Sequence, residues 1–255
     1  MSAPRRPVLA GNWKMNHGPS ETVRFFADFL AMHEPADDRT VVFFPPAISF
    51  AAAKEATQGR PDVRLGVQNV YWEASGAFTG ELSVGMARDA GAELVLIGHS
   101  ERRHVFGETS AETAKKVRAV LAGGLTPVLC VGETLDERQA DRAEAVVAEQ
   151  LEPVLAILSA DEVAELVVAY EPVWAIGTGV TATPQDAAAM HAAVRARLAQ
   201  AFGQEAADAV PVLYGGSVKP DNAAELMSQP GVDGVLVGGA SLDAQGFAGI
   251  CRAAG

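Results

Sequence analysis

Eight short apolar runs, at 7–12, 40–44, 63–69, 94–98, 127–131, 166–170, 212–214 and 234–237, recur along the 255-residue chain. Amphipathic helical stretches separate them. The runs are continuously apolar rather than alternating, the pattern of strands covered on both faces. Strand–helix repetition of this kind requires a parallel sheet, because each connection has to cross back over the sheet. The remaining choice is between an open, doubly wound sheet and a closed eightfold barrel. An open dinucleotide-binding sheet starts with G-x-G-x-x-G after its first strand, and this chain has Gly11-Asn12-Trp13-Lys14 there. The count of eight and the length select a (β/α)8 barrel occupying 1–255 as one α/β domain.

The intervening helices carry their own signals. Val23, Phe26 and Leu30 are placed on one buried face of the first, and Val117, Val120 and Leu121 on that of a later one starting at Ser110. Thr183-Pro184-Gln185-Asp186 reads as a capping threonine, a first-turn proline and an acid at the third position. Ala187, Met190, His191, Val194 and Leu198 follow at helical spacing.

Charge and cysteine usage narrow the function classes. The formal net charge is −12, and the basic residues are scattered, with no stripe for nucleic acid. No stretch approaches the roughly 20 apolar residues of a membrane span. Cys130 and Cys251 are too few for a disulfide framework, and no secretory signal opens the chain, so a reducing, cytoplasmic compartment is expected. No set of metal ligands has a familiar spacing, so no metal is expected.

In a barrel of this type chemistry sits at the C-terminal ends of the strands. Those positions hold Asn12 and Lys14 after the first run, His99 and Glu101 after the fourth, and Glu171 after the sixth. Gly215-Gly216-Ser217 follows the seventh and Gly238-Gly239 the eighth. Paired glycine turns there admit an anion close to backbone amides, as phosphate sites do. Glu171 reads as a metal-free base or as a carboxylate simply paired with a cation. The apolar stretch Pro172-Val173-Trp174-Ala175-Ile176-Gly177-Thr178-Gly179 behind it favours the base, since an exposed apolar loop is suited to closing over a ligand. A helix starting after His99 would lower the affinity of its imidazole for a proton and leave a neutral hydrogen-bond donor.

Gly11-Asn12-Trp13-Lys14, Gly98-His99-Ser100-Glu101, Tyr170-Glu171-Pro172-Val173-Trp174, Tyr214-Gly215-Gly216-Ser217 and Val237-Gly238-Gly239 together resemble the triosephosphate isomerase family, in order, from about residue 7 to 250. The resemblance implies cofactor-free interconversion of dihydroxyacetone phosphate and D-glyceraldehyde 3-phosphate through an enediolate. It implies Glu171 as proton shuttle, His99 as carbonyl polariser and Lys14 as balancing charge. Asn12 would hold substrate oxygens, and the amides of Gly177, Ser217, Gly238 and Gly239 would grip the phosphate. Glu101 would orient Lys14. Gly76-Ala77-Phe78-Thr79-Gly80 resembles the family's inserting loop, which implies a homodimer in which Thr79 reaches the partner's site. Cys130 reads as a packing residue. The family's basic residue after Gly179 is here Val180, which bears on loop closure.

Two other readings stay in view. One is a Schiff-base aldolase with Lys14, one of five lysines, as the amine. The other is a non-catalytic binding barrel.

Overall fold

The computed structural model describes residues 6–176 and 182–254. Eight parallel strands run in chain order around a closed barrel: β1 (Val8–Asn12), β2 (Thr40–Phe44), β3 (Val63–Val67), β4 (Leu94–Ile97), β5 (Thr126–Val131), β6 (Val167–Tyr170), β7 (Val212–Tyr214) and β8 (Gly234–Val237). β8 returns to β1, with Leu9 opposite Val235 and Gly11 opposite Val237. The fold is thus a single-domain (β/α)8 barrel, as the run of eight strands predicts.

The period of two within each strand splits the apolar runs into two cores. Ala10, Val42, Phe44, Leu96, Val128 and Leu213 are among the side chains filling the barrel. Their neighbours Leu9, Val41, Phe43, Val95, Leu129 and Val212 face outward to the helices. Both faces are dry, which is why the strands read as unbroken apolar segments. One interior position is deliberately empty. A Cβ on Gly66 in β3 would lie 2.3 Å from the Phe44 ring, so the phenyl group occupies the space that a side chain would take.

Strand limits move by a residue or two from those expected, for local reasons. Pro7 has no N–H for the ladder, though its carbonyl still accepts from Thr40, and β1 starts at Val8. Gln68 and Asn69 leave β3, because the Gln68 amide donates to the carbonyls of Lys14 and Phe44, both at 2.8 Å, and Asn69 accepts from Lys116. Gly98 takes φ +68, which ends β4 at Ile97. β5 begins one residue early at Thr126, whose N–H reaches Glu93, and Leu166 is drawn into a turn with Val163.

The helix Pro184–Phe202 is capped as its sequence predicts: Asp186 N–H donates to Thr183 Oγ1, and Asp186 accepts from the Thr183 amide. Its five predicted core residues are all buried. In the first helix, Pro19–Met32, one assignment is corrected. Val23 is 52% exposed, and the buried face is Thr22, Phe25, Phe26 and Phe29. The ring cluster of Trp13, Phe25, Phe29, Phe43 and Phe247 sets that rotation, since edge-to-face contacts such as Trp13 to Phe25 at 4.8 Å need both phenylalanines turned inward.

Candidate active site

Asn12, Lys14, His99, Glu171, Ser217, Gly238 and Gly239 line one cleft of about 420 Å³ at the C-terminal mouth of the barrel. Five separate stretches of the sequence are therefore brought together. Gly177 and Val180 lie outside the described residues.

Each side chain is held by the chain around it. Trp13 is fully buried between the two residues of the first loop, and its indole N–H donates to Ser241 at 3.0 Å. That anchor pins the loop from β1 against the glycine turn after β8. Lys14 is locked at φ +51, a left-handed conformation uncommon for a side-chain-bearing residue. Its amide donates to Asn12 Oδ1 at 3.0 Å, and its carbonyl accepts from Gln68 at 2.8 Å. The Lys14 ammonium then meets Glu101 at 2.7 Å. An ion pair so placed suits a fixed charge rather than an amine nucleophile.

Glu171 follows β6 and is 2% exposed. Its amide donates to Val131 at 2.7 Å, and its carbonyl lies so close to Gly132 that a Cβ there would stand 1.7 Å from the oxygen. The carboxylate accepts the Ser100 amide at 2.8 Å through Oε2 and faces His99 Nε2 at 3.0 Å through Oε1. Burial pushes its pKa up, but the imidazole, the Ser100 amide and Lys14 together hold it below the ordinary glutamate value.

His99 caps the helix Ser100–His104 with its own ring: the Glu101 amide donates to Nδ1 at 3.2 Å. Nδ1 is therefore an acceptor, and the ring proton sits on Nε2, facing Glu171. Burial disfavours a charged imidazole, but the nearby Glu171 charge more than offsets it, so the pKa lies above the ordinary value. The helix start alone predicts the opposite direction. The carboxylate at 3.0 Å outweighs it while the two groups remain paired.

Several supporting residues escape a reading of strand ends. Glu108 accepts from the Gly98 amide at 3.0 Å, from Arg102 at 3.1 Å and from the buried Lys116 at 2.6 Å. Arg103 bridges Gly98 to Cys130 and Ser110, tying the His99 turn to β5. Glu133, fully buried after β5, accepts from the Tyr170 hydroxyl at 3.1 Å and the Trp174 indole at 2.8 Å and pairs with Arg138 at 3.2 Å. Trp174 is thus half-buried and tethered, not freely exposed as the apolar loop implies. Glu133 occupies a strand-end position, and applying the same rule to β5 identifies it. Lys219 also lines the cleft, two residues past Ser217, so Lys14 is not the one lysine at the mouth. Among the described residues, no three His, Cys, Asp or Glu side chains are grouped to hold a metal.

A parallel eightfold barrel with a buried carboxylate–imidazole pair beside two glycine turns defines a class, the barrel isomerases that work without a cofactor. Comparison with known proteins agrees. Residues 7–254 match the family model described as triosephosphate isomerase. A triosephosphate isomerase of Solibacter usitatus is 52% identical over 246 residues, covering 96% of this chain and 98% of that one. Those of Herpetosiphon aurantiacus and Symbiobacterium thermophilum are also 52% identical, over 248 and 250 residues, covering 97% and 98% of this chain and 99% and 97% of theirs. The chain belongs to the triosephosphate isomerase family.

Proposed function

We propose that this chain interconverts dihydroxyacetone phosphate and D-glyceraldehyde 3-phosphate, with Glu171 as the base that moves the proton. The observation that carries this reading is the Glu171–His99 pair, 3.0 Å apart inside the cleft. A carbonyl substrate entering between them separates the two groups. Glu171 then takes a proton from the carbon beside the carbonyl, and His99 Nε2–H donates to the carbonyl oxygen as negative charge develops there. Once Glu171 has left the imidazole, the charge that raised the His99 pKa is gone, and burial with the Glu101 amide on Nδ1 favours a neutral ring. His99 passes its Nε2 proton to the former carbonyl oxygen and takes the hydroxyl proton from the neighbouring oxygen, and Glu171 returns its proton to the neighbouring carbon, which completes the isomerisation.

Lys14, oriented by Glu101, balances the developing charge, and Asn12 holds the first loop for substrate oxygens. Backbone amides of Ser217, Gly238 and Gly239 hold the phosphate, joined by Gly177 as the family resemblance implies. Binding energy from that remote dianion serves the proton transfer at the other end of the molecule. A Schiff-base aldolase needs Lys14 as a free amine, and its ion pair with Glu101 favours the isomerase.

The active form is proposed to be a homodimer. Phe78 stands 38% exposed, leaning on Tyr71 with ring centroids at 4.4 Å, and Thr79 beside it is exposed. Met15 and Ile48, 94% and 79% exposed, flank a shallow groove beside the first loop. Seating the Phe78–Thr79 loop of one subunit in the partner's groove covers both, and analytical ultracentrifugation of Thr79→Arg should show a shift toward monomer. Among the described residues no helix is long and apolar enough to cross a membrane. The two thiols, Cys130 and Cys251, are free and buried, which suits a reducing cytoplasm.

The direct test is a coupled isomerisation assay. Glu171→Asp withdraws the carboxylate by one methylene, and turnover is expected to fall about 100-fold or more with an unchanged circular dichroism spectrum. Unchanged turnover would refute the assignment.

A further inference from the structure

The cleft holds a second cation that neither the proton transfer nor the amide grip on phosphate uses. Lys219 lines it beside Ser217 and Val218 and is exposed at the mouth. Its backbone is fixed. The Lys219 amide donates to Asn222 Oδ1 at 2.7 Å, its carbonyl accepts from the Asn222 and Ala223 amides, and Asn222 Nδ2 donates to the Ser217 carbonyl at 3.1 Å. Lys219 and the phosphate turn therefore form one rigid unit, while the Lys219 side chain makes no ion pair among the described residues. Lys14, by contrast, is committed to Glu101.

The charge balance of the cleft gives this lysine a task. Glu101 offsets Lys14 and His99 faces Glu171, so among the described residues Lys219 is the lysine of the cleft whose charge no ion pair offsets. The whole chain carries a formal −12. A dianionic substrate approaching such a surface is repelled at long range, and backbone amides act only over a few ångströms. We propose that Lys219 is the electrostatic capture residue of the site: its ammonium draws the phosphate to the turn at Ser217 and favours phosphorylated over unphosphorylated trioses. This rests on the triose phosphate reading given above.

The experiment compares wild type, Lys219→Met, Lys219→Arg and Lys54→Met. Lys54 lies at the opposite end of the barrel, reaching the Gly91 carbonyl before β4, so its loss changes net charge equally and leaves the cleft intact. At an ionic strength of about 0.01 M, Lys219→Met should lower kcat/KM for glyceraldehyde 3-phosphate roughly 5- to 10-fold, mostly through KM, and the deficit should shrink to about twofold near 0.5 M. Lys219→Arg should restore most of it, Lys54→Met should behave as wild type, and unphosphorylated glyceraldehyde should be turned over alike by all four. Calorimetric titration with inorganic phosphate should show binding weakened several-fold in Lys219→Met.

Equal kcat/KM, salt dependence and phosphate affinity in wild type and Lys219→Met would overturn the proposal. An equal proportional loss on glyceraldehyde would also overturn it, because that marks a structural effect. Weakened phosphate binding without isomerase activity in the wild type would keep the anion site and sink the reaction assigned to it.

Discussion

The Glu171–His99 pair combines two features that normally oppose each other: both groups are buried, yet the carboxylate is ionised. The imidazole does most to make this possible, joined by the Ser100 amide on the carboxylate, while the Glu101 amide orients the imidazole. Neither amide can be read from side-chain identities. A sequence reveals that a histidine follows β4 and an acid follows β6, but not that both supporting amides come from the same short helix. The steric fit at Gly132 leads to a sharp expectation. Gly132→Ala would place a methyl group against the Glu171 carbonyl, so the base has to shift, and kcat should fall by about 10-fold or more with the barrel still folded. Steady-state kinetics with a melting curve decides it, and an unchanged kcat would mean that the backbone at Glu171 is not constrained as described. The thiols give a second residue-scale expectation. Burial raises the Cys130 pKa and pushes Cys251 up to about 12. Neither should react with a thiol reagent at pH 8 until the protein is unfolded.

At the scale of elements, the helix Pro184–Phe202 was the most legible, because cap, proline and core spacing agree along its length. The first helix was less so. Its sequence places apolar residues on several faces, and only the aromatic cluster decides that Phe25 turns in and Val23 out. The long helix also buries His191, whose Nδ1 faces the Gly231 carbonyl at 3.0 Å while Nε2 has no hydrogen-bond partner among the described residues. Burial lowers its pKa to about 4. A histidine depressed in the folded state contributes full stability above its unfolded pKa of about 6.5 and loses it as pH falls toward 4. Chemical denaturation should show wild type losing up to about 3 kcal/mol more than His191→Gln between pH 7 and pH 4. Parallel losses in both proteins would assign the acid sensitivity elsewhere. In β3, Gly66→Ala should destabilise by about 1–3 kcal/mol through collision with Phe44, and Phe44→Leu in the same chain should recover part of the loss.

For the molecule as a whole, the barrel was legible because eight dry strands leave a simple repeating pattern, and closure follows from their number. Which residues share the mouth was legible by the strand-end rule. What that rule does not reach is the layer behind the mouth, where Lys116 links Glu108 to Asn69 and where Arg103 and Glu133 tie one strand end to the next. Those contacts depend on the register between strands, and register is a property of the closed fold. Lys219 was hidden for a different reason, since it sits past the glycine turn rather than at the strand end itself. These layers converge on a single claim, that a buried carboxylate carries a proton between adjacent carbons of a triose phosphate. Isomerisation in D2O, followed by NMR of the product, tests it most directly. Product should carry deuterium on the carbon that receives the proton only in those turnovers where the Glu171 carboxyl exchanges with solvent, the rest keeping the substrate hydrogen, and Glu171→Gln should lower the rate by about 10²–10⁴-fold. A glutamine variant within about tenfold of the wild-type rate, with the same deuterium content in its product, would contradict it.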